Sequence, residues 1–223
     1  MKLLGFSLLI FGLQFGAQGG TEVASFDARG PEQAPLGWKL VNARPVAPVR
    51  WEVHNDQKAP FSPKVLVLTS HQRDRRAPAL AIFEKVDLHD GDVSMDFKLD
   101  PNKRSQTVGI LFGYRDPQNY YLANASADAS MVSLVRVQAG VTTPLTPVSP
   151  GLMHFCLLPH HIMAQDWNLM RVRIRGPRIA FFLGHRKLME ARDDSYTGSG
   201  KTGIWSRGDT VAYVDNFRVD KKN

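Results

Sequence analysis

From Asp92 to Leu99 the side chains alternate without a break. Val93, Met95, Phe97 and Leu99 are apolar, and Asp92, Ser94, Asp96 and Lys98 between them are polar. Successive side chains of an extended strand point to opposite faces, so this octet predicts a strand with one face in a core and one in water. The pattern returns after Asn168, where Met170, Val172 and Ile174 share one face and Arg171, Arg173 and Arg175 the other. Gly176-Pro177 turns the chain, Ile179, Phe181 and Leu183 resume the apolar phase, and Leu183–Leu188 reads as a hairpin turn. Short apolar stretches between turn clusters recur at Thr21–Phe26, Val65–Thr69, Ala79–Phe83, Lys201–Ser206 and Thr210–Val219. Helical period is confined to a turn near His160–Gln165. The chain therefore reads as all-β, a sandwich of two antiparallel sheets.

Met1–Gly19 has one lysine, the apolar run Leu3–Leu13, and small residues at Ala17 and Gly19, which is the pattern of an export signal. Its apolar part falls short of the roughly 20 residues of a membrane span. The expectation is a signal peptide over 1–19, a single domain over 20–223, and a periplasmic or secreted protein without stable membrane insertion after cleavage. An uncleaved anchor is the alternative, because the cleavage site is Ala-x-Gly. The formal net charge of +7 favours anionic surfaces or polysaccharides as contacts. Cys156 is the only cysteine, so burial alone must hold the fold; amid Leu152, Met153, Phe155, Leu157 and Leu158 it reads as a small packed hydrophobe.

Thr107–Val137 reads as strand, turn, strand, loop, strand. Thr107–Tyr114 is apolar with Gly109 and Gly113 inside it, Arg115–Asn119 is a turn, and Tyr120–Asn124 begins the next strand. A glycine inside a strand leaves room for another backbone or a ligand to come close. The run Gly109-Ile-Leu-Phe-Gly-Tyr-Arg-Asp-Pro-Gln-Asn-Tyr-Tyr121, then Ser133–Val137, resembles the middle of the secreted bacterial concanavalin A-like jelly-roll domains of the 3-keto-disaccharide hydrolase type, a laminin G/glucanase-like group. Pro35–Trp38, Trp51–Val53, Trp167–Val172, Gly203–Val211 and Tyr213–Phe217 agree with it, so the resemblance covers nearly the whole chain after the export segment. It implies a jelly roll, and either a lectin-like or a glycoside-hydrolysing role. The chain departs from that pattern at Asn124, Ser126 and Ala127–Met131, where more polar groups are expected, and in the proline-rich insert between Thr142 and Asp166.

Glycoside hydrolysis needs two carboxyl groups about 5 Å apart for retention, or about 6.5–9.5 Å apart for inversion. The Glu-x-Asp-x-x-Glu run of laminarinase-type hydrolases is missing, and the glutamates stand singly. Asp92 and Asp96 share a face about 13 Å apart, which suits solvated positions. A pair assembled across strands stays open. Catalytic residues are therefore left unassigned. His154, His160 and His161 lack a fourth ligand beside them, and Asp87–Asp92 misses the spacing of a calcium loop. No cofactor or metal is expected, with a structural calcium at Asp215-Asn216 as the minor alternative. Sugar binding asks for an aromatic face and a few polar groups. Trp51, Tyr114, Arg115, Tyr121, Asn124 and Trp205 are the candidate ligand residues, with Tyr120 beside them, while Trp38 and Trp167 are expected in the core. The arginine ladder reads as a soluble face, with anionic polymer as the other reading. Nucleic acid is not expected. The favoured function is non-catalytic binding of a sugar or polysaccharide on the concave face. A 3-keto-glycoside hydrolase and a structural envelope module that docks on another protein are the alternatives.

Overall fold

In a computed structural model the described residues are 19–24, 26, 35–42, 50–68, 78–145, 155–157, 164–195, 199–207 and 209–222. The export segment up to residue 18, the charged loop His71–Arg76, and the histidines 154, 160 and 161 lie outside them, and Cys156 is described through its backbone only.

The described residues form strands and no helix. In chain order these are β1 (Thr21–Ala24), β2 (Trp38–Asn42), β3 (Trp51–Asn55), β4 (Lys64–Leu68), β5 (Pro78–Leu88), β6 (Gly91–Leu99), β7 (Thr107–Asp116) and β8 (Asn119–Ser126). They continue with β9 (Met131–Gln138), β10 (Val141–Pro144), β11 (Phe155–Leu157), β12 (Asn168–Arg175), β13 (Arg178–Leu183), β14 (Arg186–Arg192), β15 (Gly200–Arg207) and β16 (Ala212–Lys221). One sheet, here sheet A, runs β14-β13-β12-β6-β16-β4-β3, with β1 added on β16; the other, sheet B, runs β10-β9-β8-β7-β15-β5-β2, with β11 on β9. All strand pairs are antiparallel. As the resemblance implies, the last strand pairs with the first, Thr21 opposite Asp220.

The alternation read at β6 and β12 is realised residue by residue. Val93, Met95, Phe97, Leu99, Met170, Val172 and Ile174 are buried between the sheets, and their polar neighbours stand outside. Sheet B supplies the facing layer through Val108, Ile110, Phe112, Ala123, Ala125 and Leu134. At one end Trp38 joins Phe83 and Phe217 at ring-centroid distances of 5.1 and 5.0 Å, an aromatic cluster worth about 1 kcal/mol per pair beyond its buried area. Trp38 is thus core, as expected. Trp167 is not part of that cluster. Its ring lies 5.2 Å from the Lys98 ammonium, which Tyr213 also faces and Asp56 pairs with.

The outer face of sheet A is more tied down than solvated strand positions suggest. Asp92 takes ion pairs from Arg171, Arg173 and Arg175 at 3.8, 3.1 and 2.8 Å. Asp96 accepts a hydrogen bond from Asn216 at 3.1 Å, and burial raises its carboxyl above the ordinary value in spite of that bond. Asp215 is 1% exposed. Its carboxylate accepts the backbone N–H groups of Phe61, Ser62 and Asn216 at 2.7, 3.1 and 2.8 Å, and so pins the 59–63 loop to β16. A carboxylate ringed by N–H donors serves the turn it sits in.

Because two of those donors come from a loop that holds no other strand, Asp215→Ala should lower unfolding free energy by about 3 kcal/mol. Asp215→Asn, which keeps one acceptor oxygen, should lose about half of that in urea titrations.

Candidate functional site

Sheet B is apolar on its outer face as well. Leu80 and Ile82 from β5, Leu111 and Tyr114 from β7, Tyr120 and Leu122 from β8, and Val135 and Val137 from β9 form a second buried cluster, with Trp205 of β15 and Val41 packed against it. This explains why Thr107–Phe112 reads as a continuous apolar run instead of alternating: both of its faces are covered.

A groove of about 1180 Å³ runs along this face. Its aromatic end holds Trp205 and Tyr120, with Tyr114 behind them at 6.3 Å from the Tyr120 ring. Polar side chains line its continuation along β8 and β9. Asn124 donates from its amide to Ser133 Oγ at 2.7 Å, which leaves the amide carbonyl oxygen and a second N–H to a guest. Thr107 and Ser126 share a hydrogen bond at 3.0 Å, and Ser126 donates to Asp128 at 2.6 Å. Asp128 is the only carboxylate among the described residues that line the groove. The Trp205 indole N–H is buried, and the nearby Tyr120 hydroxyl is the group it can donate to. Burial raises the Tyr120 phenol above its ordinary value, and the nearby Trp205 indole opposes that shift.

Two glycines make this surface. A Cβ on Gly109 would come within 2.5 Å of the Ala123 carbonyl oxygen and 2.8 Å of the Asn124 Cβ, so a side chain there would fill the floor beside Asn124. Gly113 has φ +58°, and the pairing of β7 with β8 slips between Phe112 and Asp116. An extra residue in a strand re-aims the side chains beyond it. Phe112 points inward; strict alternation would send Tyr114 inward too, and the bulge at Gly113 turns it onto the outer face beside Tyr120.

The six predicted ligand residues separate by strand phase. Asn124 and Trp205 line the groove, and Tyr114 abuts its aromatic end. Arg115 is exposed on β7 outside the groove lining. Trp51 is 1% exposed in the inter-sheet core, so it is unable to stack on an external sugar. Tyr121 is the second correction: it is 7% exposed, faces the core, and stacks on Phe112 at 5.4 Å. Its hydroxyl donates to Asp193 at 3.1 Å, just beyond β14, and Arg136 of β9 reaches the same carboxylate at 2.9 Å. This cluster, which includes Ser195, ties the rim of sheet B to sheet A. Burial works upward on the Asp193 carboxyl, but hydrogen bonds from Ser195 and the Arg136 charge outweigh it and hold the group below its usual value.

Asp128 and Ser133 also line the groove and are not among the six residues that the sequence singles out. The available signal was phase: Tyr120, Leu122, Asn124 and Ser126 fall on one side of β8, and the loop after them returns opposite that side.

No family model matches this sequence, and no curated protein matches it. Solved structures do resemble the fold. The carbohydrate binding module CBM66 from Bacillus subtilis is 18% identical, with a TM-score of 0.58 over 82% of this chain and 95% of that one. Bacillus licheniformis β-glucanase is 12% identical, with a TM-score of 0.59 over 92% and 99%. The exoplasmic/lumenal domain of VIP36, in a form bound to Ca2+ and Man3GlcNAc, is 10% identical, with a TM-score of 0.51 over 84% of each chain. At these identities the likeness establishes the architecture, a concanavalin A-like jelly-roll β-sandwich.

The residues that shape the rim and floor can be tested separately. Gly113→Ala should destabilise the fold by about 1–2 kcal/mol in urea titrations, the cost of a side chain in the left-handed region. Asp193→Asn should lower the melting temperature at pH 7, and the difference should shrink as pH falls below the ordinary carboxylate range. A carboxyl with a depressed folded-state pKa adds stability above its unfolded value, and that stability disappears as pH falls through the folded one.

Proposed function

We propose that this protein binds a carbohydrate without chemical turnover, in the groove on the outer face of sheet B, and that it does so outside the cytoplasm. The observation that carries this reading is the composition of the groove wall: an indole and a phenol at one end, then an amide and hydroxyls, with Asp128 as the single described carboxylate. Aromatic rings suit the apolar face of a pyranose, and planar amides and hydroxyls suit its rim. Hydrolysis by acid and base or nucleophile asks for a second carboxyl within about 10 Å. The groove volume exceeds what one monosaccharide fills, so an oligosaccharide or a chain segment fits better than a single sugar.

The fold supports the same direction. The likenesses include a carbohydrate binding module and a lumenal domain bound to a mannose-containing glycan, alongside a β-glucanase. The export-type N-terminus of the sequence accords with a ligand met outside the cell. The resemblance to 3-keto-disaccharide hydrolases makes those sugars the first ligands to try.

Titration calorimetry against neutral oligosaccharides, including a 3-keto-disaccharide, is the test. Trp205→Ala should weaken binding by about tenfold or more, and Asn124→Ala by about fivefold. Trp51→Phe, placed in the core, should lower stability without selectively changing affinity. Catalytic release of free sugar from a 3-keto-disaccharide, abolished in Asp128→Asn, would replace the binding reading with the hydrolase one.

A further inference from the structure

We propose that the outer face of sheet A, on the far side of the molecule from the groove, is a docking surface for an anionic polysaccharide. Cations and carboxylates are unevenly matched on that face. Around its border three cations have carboxylates of their own: Arg192 with Asp194 at 2.6 Å, Arg218 with Asp220 at 2.9 Å, and Lys187 with Glu190. At the centre the matching fails. Arg171, Arg173 and Arg175 on β12 share Asp92 alone. Arg178 on β13 is exposed, has no carboxylate within ion-pair distance among the described residues, and stands in register between Arg175 and Arg192. The nearby Asp90 is occupied at the turn, where it accepts the Gly176 N–H at 2.7 Å and lies 3.6 Å from His89. The centre of the face thus keeps more than one uncompensated positive charge even with Asp90 counted.

Protection of a sheet edge does not account for this. Charges that deter edge pairing belong on the edge strand. Here β14 is the edge, and the surplus sits one and two strands inside it, on β13 and β12. Like charges opposite one another on neighbouring strands cost stability, and Arg178, set between Arg175 and Arg192, has no carboxylate to offset that cost among the described residues. An anion laid across this row would gain from every member.

The same face argues against other polyanions. Single-stranded nucleic acid needs open aromatic platforms, and Phe182, the ring beneath these arginines, is capped by the Arg171 and Arg173 guanidinium groups at 4.4 and 5.5 Å. A bilayer needs apolar side chains to enter it, and the outward apolar residues of β13, Ala180 and Phe182, are both buried. What remains is a cluster of planar guanidinium forks, three of them gathered around Asp92 and Arg178 exposed on the next strand. Such forks match carboxylates, and a polymer with a carboxylate on each sugar meets several at once.

The test uses the full chain and polygalacturonate, with dextran as the neutral control. The protein should bind polygalacturonate and not dextran, and binding should weaken as salt rises. Arg178→Glu should weaken it about fivefold or more, with no fall in melting temperature, because the new carboxylate would stand opposite Arg175 and Arg192. Arg171→Gln combined with Arg178→Glu should weaken it further. Trp205→Ala should leave it intact, which separates this surface from the groove. Equal affinity in the arginine variants, or no binding to polygalacturonate at all, overturns the proposal. So does tighter binding to an oligonucleotide or to phosphatidylserine vesicles at matched charge.

Discussion

Burial of both faces of one sheet is the constraint on which the rest of this structure depends. On β6 and β12 sheet A alternates apolar and polar side chains, as strands do that pack on one side and meet water on the other. Sheet B does not. Its inner layer of Val108, Ile110 and Phe112 closes the core, while Leu80, Ile82 and Leu111 form a second apolar layer on the outside. An outer layer of that kind costs solubility unless its margins are polar and its centre is sheltered. The polar margin is supplied by Asn124, Ser133, Ser126 and Asp128, and the result is a groove with a dry aromatic end and a wet end.

The backbone, more than any single side chain, sets this face. Gly113 occupies a conformation that costs other residues about 1–2 kcal/mol, and the slip in register it allows puts Tyr114 on the same side as Tyr120. Gly109 does the converse job of keeping a side chain out. A sequence of stronger strand formers at these two positions would still build the sandwich, and its outer surface would have a different shape.

How much of this the sequence discloses depends on which physical signal carried each feature. The alternation at Asp92–Leu99 and Met170–Ile174 arises from a strict geometric period, and the strands and their faces came out as read. The sequence leaves Trp51 undecided, because an indole at the start of a strand is equally at home in a core or at a ligand, and only the fold decides between them. Tyr121 and Asn124 were proposed together, yet they occupy opposite phases of β8 and so belong to opposite faces. Period-2 reasoning applied to that strand would have selected Tyr120 over Tyr121. Tyr114 needed the opposite correction, since the bulge breaks its phase and no local pattern announces a bulge beyond the glycine itself. Asp128 and Ser133 meet across a loop, which is information carried by pairing register and not by composition.

The two outer faces also differ in how a partner could be told from its competitors. On sheet B the charge is small, so discrimination there has to come from hydrogen bonds whose loss leaves a polar group unpaired, as with the Asn124 amide that Ser133 engages on one side. On sheet A the side chains are long, charged and partly exposed, and discrimination there has to come from charge density and spacing, which salt erodes. The core between them keeps these chemistries independent. Inward positions on β6, β12 and β13 are filled by Met95, Val172 and Phe181, and no described charged side chain passes through from one face to the other. A change of charge on β12 therefore reaches the groove only by moving strands, and close packing between the sheets resists that movement.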